Sequence, residues 1–178
     1  MPDFRAELCP HPASPSGPVS EVRVTGERAS SGLALAYSLS GELDALAIPD
    51  GPGGRRMDGL WKHTCLELFM RPANSEQYYE FNFAPNGNWA AYQFETYREG
   101  GADLEDVSVK IDLDRRDGHL TLVASLTGLS SDLLDAPVLI GLSAVIEDDY
   151  EARSYWALHH PLSKPDFHHS DSFKLNLD

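Results

Sequence analysis

A period of two runs through most of this chain. In "GLALAYSLSG" Leu33, Leu35, Tyr37 and Leu39 occupy alternate positions, and in "GHLTLVASLTG" Leu120, Leu122, Ala124 and Leu126 do the same. "EVRVTGERA" alternates through Val22 and Val24, and "VSVKIDLD" through Val107, Val109, Ile111 and Leu113. Successive side chains of an extended strand point to opposite faces, so each stretch has one apolar and one wet side. Strands of this kind must lay their apolar faces against a second layer. "VLIGLSAVIEDD" is a longer apolar run, as expected of a central strand, and "DRRDGH" supplies a hairpin turn between the last two alternating runs. Helical period is confined to "SSDLLD", where Ser or Asp caps a turn or two. The pattern predicts an all-β fold: an antiparallel β-sandwich of roughly eight to eleven strands, immunoglobulin-like or jelly-roll in type.

A chain of 178 residues suits a single domain, 1–178. Pro2, Pro10, Pro12, Pro15 and Pro18 make residues 1–18 an extended arm rather than a helix. Glycine and proline make "IPDGPGGRRMDG" a flexible loop. No stretch reaches the ~20 apolar residues of a membrane span, and the N-terminus lacks the basic and apolar regions of a signal peptide. A cytoplasmic protein is therefore expected, with Cys9 and Cys65 as free thiols. The formal net charge of −14, with no basic stripe, argues against nucleic acid and anionic membrane as partners and favours neutral or cationic small molecules.

The central block "DGLWKHTCLELFMRPANSEQYYEFNFAPNGNWAAYQFETYREG" reads as three neighbouring antiparallel strands, over 63–70, 77–84 and 88–97. Leu66, Leu68 and Met70 share one face of the first strand, and His63, Cys65, Glu67 and Phe69 the other. In the second, Tyr79, Phe81 and Phe83 oppose Tyr78, Glu80 and Asn82. Carboxylates and an amide thus recur within strongly apolar strands. A solvated face would explain them; so would a sugar site, where rings stack on C–H faces and polar groups fix hydroxyls. A glycosidase pair would need a cleft and two carboxyls of different acidity, for which no motif speaks. The chain also carries no nucleophile elbow, phosphate loop or zinc-protease pattern, so no catalysis is expected.

Two histidine pairs, His159–His160 and His168–His169, lie near the end. Adjacent residues of a strand face opposite ways, so neither pair can chelate one metal while extended, and no metal site is expected. "KPDFHH" reads as a turn with Phe167 packed inward and Asp166 orienting a histidine or capping a backbone N–H. "SDSFKLNLD" then reads as a closing strand with Phe173, Leu175 and Leu177 on its apolar face.

"ELCPHP", "LWKHTCLELFM", "YYEFNFAPNGNWAAYQFETYR", "YWALHHP" and "KPDFHH" together resemble the bacterial DOMON-like proteins. That superfamily includes the family-9 carbohydrate-binding modules and the haem-binding cytochrome domains of cellobiose dehydrogenases. The resemblance implies a β-sandwich that binds a sugar or a haem without catalysis. For a sugar, the tryptophans Trp61, Trp89 and Trp156 are available as clamps, with Glu67, Glu80, Asn82 and Arg98 as polar partners. Tyr92, His159 and His168 complete the expected binding set. No cofactor is expected in that case. The haem alternative would draw on Met57 or Met70 with one of the late histidines. A protein-interaction module without a small ligand is the third reading.

Overall fold

Strands form where the sequence alternates. In the computed structural model, which describes residues 1–178, β3 (Gly32–Gly41) pairs antiparallel with β9 (His119–Thr127), Leu35 opposite Ala124 and Tyr37 opposite Leu122. β2 (Val19–Ala29) and β8 (Ser108–Arg116) flank them. The β8–β9 hairpin turns at Asp117-Gly118, with Gly118 at φ +69°, a conformation glycine adopts without Cβ strain. β1 (Phe4–Pro10) completes this layer beside β2. The second layer runs β7 (Ala102–Asp103), β6 (Trp89–Phe94), β5 (Tyr78–Phe83), β4 (Cys65–Pro72), β10 (Val138–Glu147) and β11 (Arg153–Ala157). β12 (Leu175–Leu177) lies against the start of β10. All pairings between these strands are antiparallel, and the long apolar run is a central strand as expected.

The strands number twelve rather than eight to eleven. β7, of two residues, is too short to display a period, whereas β12, expected from "SDSFKLNLD", is kept but cut to three residues. The proline-rich opening is extended, but part of it is sheet rather than arm. Ala6 lies opposite Val24 in the first layer, then Cys9 opposite Ala157 and Pro10 opposite Trp156 in the second. β1 is the strand that pairs in both layers. Pro10, lacking an N–H, stands at its last position, where the ladder loses least.

Between the layers, Leu35, Tyr37, Leu39 and Leu122 meet Leu66, Leu68, Phe81 and Phe83, all essentially inaccessible. The Tyr37 hydroxyl donates to the Glu67 carbonyl at 2.7 Å, so its polar tip is satisfied within the core. The outer face of the second layer is covered as well. Leu60 packs there with Cys65, Ala84 and Ala90, and Phe173 with Phe69 and Tyr78. Cys9 is exposed and Cys65 buried, and both are free.

Two local expectations change. The loop around "GPGGRRM" is irregular but fastened: Trp89 N–H donates to the Arg55 carbonyl at 3.0 Å and Met57 N–H to the Trp89 carbonyl at 2.8 Å. At the C-terminus a 3-10 turn, Ser170–Ser172, interrupts the closing strand. Only Leu175 and Leu177 pack on the main core, while Phe173 is turned into the outer cluster. Alternation cannot be extrapolated across a turn that rotates the chain.

Candidate ligand-binding site

The outer face of the second layer collects alternate residues of five strands. Glu67 of β4 lies opposite Asn82 of β5 and Ser143 of β10; Glu80 of β5 lies opposite Tyr92 of β6; Val145 of β10 lies opposite Tyr155 of β11. Trp61, on the 3-10 turn Leu60–Lys62, and Pro165–His168 rise around this floor. Together they enclose a cavity of ≈ 440 Å³, within the range of small-molecule sites. The Tyr92 hydroxyl donates to Asp58 at 2.8 Å, tying the turn that carries Trp61 to the sheet. Trp61 and Tyr92 then meet edge to face at 6.4 Å.

Glu67 and Glu80 are only 2% and 5% exposed. Ser143 Oγ donates to Glu67 Oε2 at 3.0 Å, and Asn82 Nδ2 to Glu80 Oε1 at 3.1 Å. Burial lifts both carboxyls well above the ordinary carboxylate range. The charge of Glu80 raises Glu67 further, whereas the Ser143 and Asn82 bonds pull each back only in part. At neutral pH this pair shares protons rather than carrying two full charges.

The wall opposite is held by Asp166. Its carboxylate accepts from Arg98 Nη2 at 2.9 Å and from the Tyr97 hydroxyl, and it caps the His168 N–H at 3.1 Å. Burial works against the ionised form, but the bonds from Tyr97 and Arg98 outweigh it and hold Asp166 below its usual value. Arg98 sits at φ +57°, an uncommon conformation for a non-glycine residue, with its N–H on the Tyr78 hydroxyl at 3.1 Å. That hydroxyl pairs with His168 Nδ1 at 2.8 Å. With Tyr78 as the donor, the ring proton lies on Nε2, 3.5 Å from Glu80 Oε2. Burial, assisted by Arg98 and opposed by Asp166, lowers His168 to about 4. The His168–Glu80 approach is therefore a contact between largely neutral groups and not an ion pair.

A pH dependence of stability follows. Both glutamates hold protons more tightly folded than unfolded, so stability falls as pH rises from the ordinary carboxylate range through the raised values. His168 acts the other way: between about 4 and about 6.5 the folded chain binds fewer protons, and stability rises with pH. Above about pH 6.5 the glutamate pair is left, and stability should drop by on the order of 1–2 kcal/mol as it ionises. Urea midpoints across this range check the drop, which Glu67→Gln should flatten.

Of the residues expected from sequence, Trp61, Glu67, Glu80, Tyr92, Arg98 and His168 line the cavity. Asn82, fully buried, lies beneath it and acts through Glu80. Trp89 does not belong to the site. It lies opposite Phe83, packs on the main core and carries the Arg56 guanidinium over its ring at 5.0 Å. Trp89 and Tyr92 are three residues apart, an odd spacing that puts them on opposite faces. His159 is exposed and lines no part of the cavity. Trp156 is a core residue with its indole N–H on Ser154 Oγ at 3.1 Å. Phe94, Val145 and Tyr155 were not anticipated, although "SYWA" alternates and places Tyr155 opposite in facing to Trp156.

A methionine–histidine pair for haem is not brought together at this cavity. Met70 faces the main core, on the other side of the sheet from His168, and Met57 is 54% exposed with Asn88 Nδ2 at 3.6 Å from its sulfur. Neither methionine lines the cavity.

No family model and no curated protein matches the sequence. Solved structures share the fold. A proposed carbohydrate-binding protein from Bacteroides uniformis superposes with a TM-score of 0.70 at 15% identity, over 96% of this chain and 84% of that one. A family 9 carbohydrate-binding module from Caldicellulosiruptor kristjanssonii in complex with glucose gives 0.58 at 8% identity, over 82% and 69%. The same kind of module in complex with cellotriose gives 0.58 at 8% identity, over 82% and 68%. At such identities the likeness shown is one of architecture: this chain has a β-sandwich fold like that of these solved carbohydrate-binding proteins.

Proposed function

We propose that this protein is a non-catalytic carbohydrate-binding domain of the DOMON-like kind, and that the cavity on the outer face of its second layer takes a sugar ring. The observation that carries this reading is the convergence of aromatic rings and buried carboxyls in one cavity. Trp61, Tyr92 and Phe94 offer flat apolar surface to C–H faces. Glu67 and Glu80 each keep an oxygen outside any protein hydrogen bond, free for hydroxyls. Arg98, Asp166 and His168 hold one another in place, so the wall is set before a ligand arrives, which lowers the ordering cost of binding. The solved relatives in complex with glucose and cellotriose support a sugar as the ligand class.

Calorimetric titration with glucose and cello-oligosaccharides tests the proposal. Trp61→Ala should weaken binding by about 1–2 kcal/mol, roughly 5- to 30-fold, with little change in melting because the ring is 45% exposed. Trp89→Ala is the contrasting variant and should lower melting without touching affinity. Equal losses of affinity in both variants, or no heat with any sugar, would refute the site.

A further inference from the structure

We propose that the sugar preferred by this cavity carries a free amine, as a 2-amino-2-deoxyhexose does. The inference rests on the sugar-binding reading and concerns which sugar is favoured.

The cavity contains more acid than base. Glu67, Glu80 and Asp166 face it, against Arg98 and His168. Arg98 is engaged by Asp166 at 2.9 Å, and His168 already pairs its Nδ1 with the Tyr78 hydroxyl. No lysine or arginine lies within ion-pair distance of either glutamate. Glu67 Oε1 and Glu80 Oε2 accept no hydrogen bond, although both side chains are more than nine-tenths buried and line the cavity.

Buried carboxyls with no cation paired to them are costly to ionise, and a positive ligand group removes that cost. The charge of Arg98 relieves Glu80 only in part, and Glu67 has no such neighbour. A sugar hydroxyl offers one hydrogen and no charge, whereas an ammonium offers three hydrogens and a full charge. The aromatic wall adds to the preference, since Trp61, Tyr92 and Phe94 line the cavity and an aromatic ring attracts a cation more than a hydroxyl. At longer range the net charge of −14 draws cations towards the surface. Acetylation of the amine would remove the charge and add bulk, so the two forms of one sugar are a sharp pair of probes.

The experiment is calorimetry at neutral pH and low salt with glucose, glucosamine and N-acetylglucosamine. Glucosamine should bind about tenfold or more tighter than glucose, and N-acetylglucosamine no tighter than glucose. Glu67→Gln should pull the glucosamine-to-glucose ratio towards one, and Glu80→Gln provides the same readout if the first variant does not fold. Added salt should reduce the ratio more than it reduces glucose binding. Equal affinity for glucose and glucosamine would overturn the inference and leave the sugar-binding reading standing. Absence of binding by all three would overturn both.

Discussion

Phe69→Ala should cost about 3–5 kcal/mol of stability, on the order of 10 °C in melting temperature, and should abolish ligand binding with it. The ring is 1% exposed and forms the floor beneath the site wall. It stacks on Phe173 at 5.8 Å, meets His168 edge-on at 5.1 Å and leans on Tyr78 at 6.5 Å. Truncation leaves a void that these rings can fill only by leaving the positions that hold His168 against Glu80 and Tyr78. Denaturant unfolding and calorimetry on the same preparation measure both effects. A loss below about 1 kcal/mol would show that the outer cluster does not support the fold.

Removal of Ser170–Asp178 should be more severe, giving a chain that accumulates insoluble and shows no cooperative melt. The deletion strips β12 from Val138, Leu139 and Ile140 and leaves that edge of a central strand unpaired. It also takes Leu177 out of the main core and Phe173 out of the outer cluster. One short segment therefore contributes to both faces of the second layer. A soluble truncation with a sharp melting transition would show that the ending is an appendage.

The parts of the architecture written in local alternation were legible. Leu33 to Leu39 and Leu120 to Leu126 each bury one face, and the register of β9 on β8 follows from the tight turn between them. The same arithmetic placed Glu67, Glu80 and Asn82 on one face, since period two holds within a strand whatever lies opposite. For Asp166 the sequence leaves open whether it orients a histidine or caps a backbone N–H, and its carboxylate caps the His168 N–H. Its partnership with Tyr97 and Arg98 was not readable, because it joins segments far apart in sequence through an unusual backbone at Arg98. Trp89 was misplaced for a different reason: its residue type suggested a sugar clamp, while its spacing from Tyr92 already put it on the core side. Position within a strand is the stronger guide. Residue type decides only what a position can do once the face is known.

β1 has a consequence for how the molecule comes together. It is hydrogen-bonded to β2 nearby in sequence and to β11 near the other end of the chain. A nascent chain can form the β1–β2–β3 meander early, but Cys9 and Pro10 must wait for Tyr155, Trp156 and Ala157 before the two layers are joined. Closing so long a loop is an entropic barrier paid before the contacts that reward it, and topologies of this kind fold in milliseconds to seconds rather than microseconds. Until then the outer edge of β11 and the last residues of β1 stand open to other chains, so the interval before closure is the period in which this protein is most exposed to aggregation.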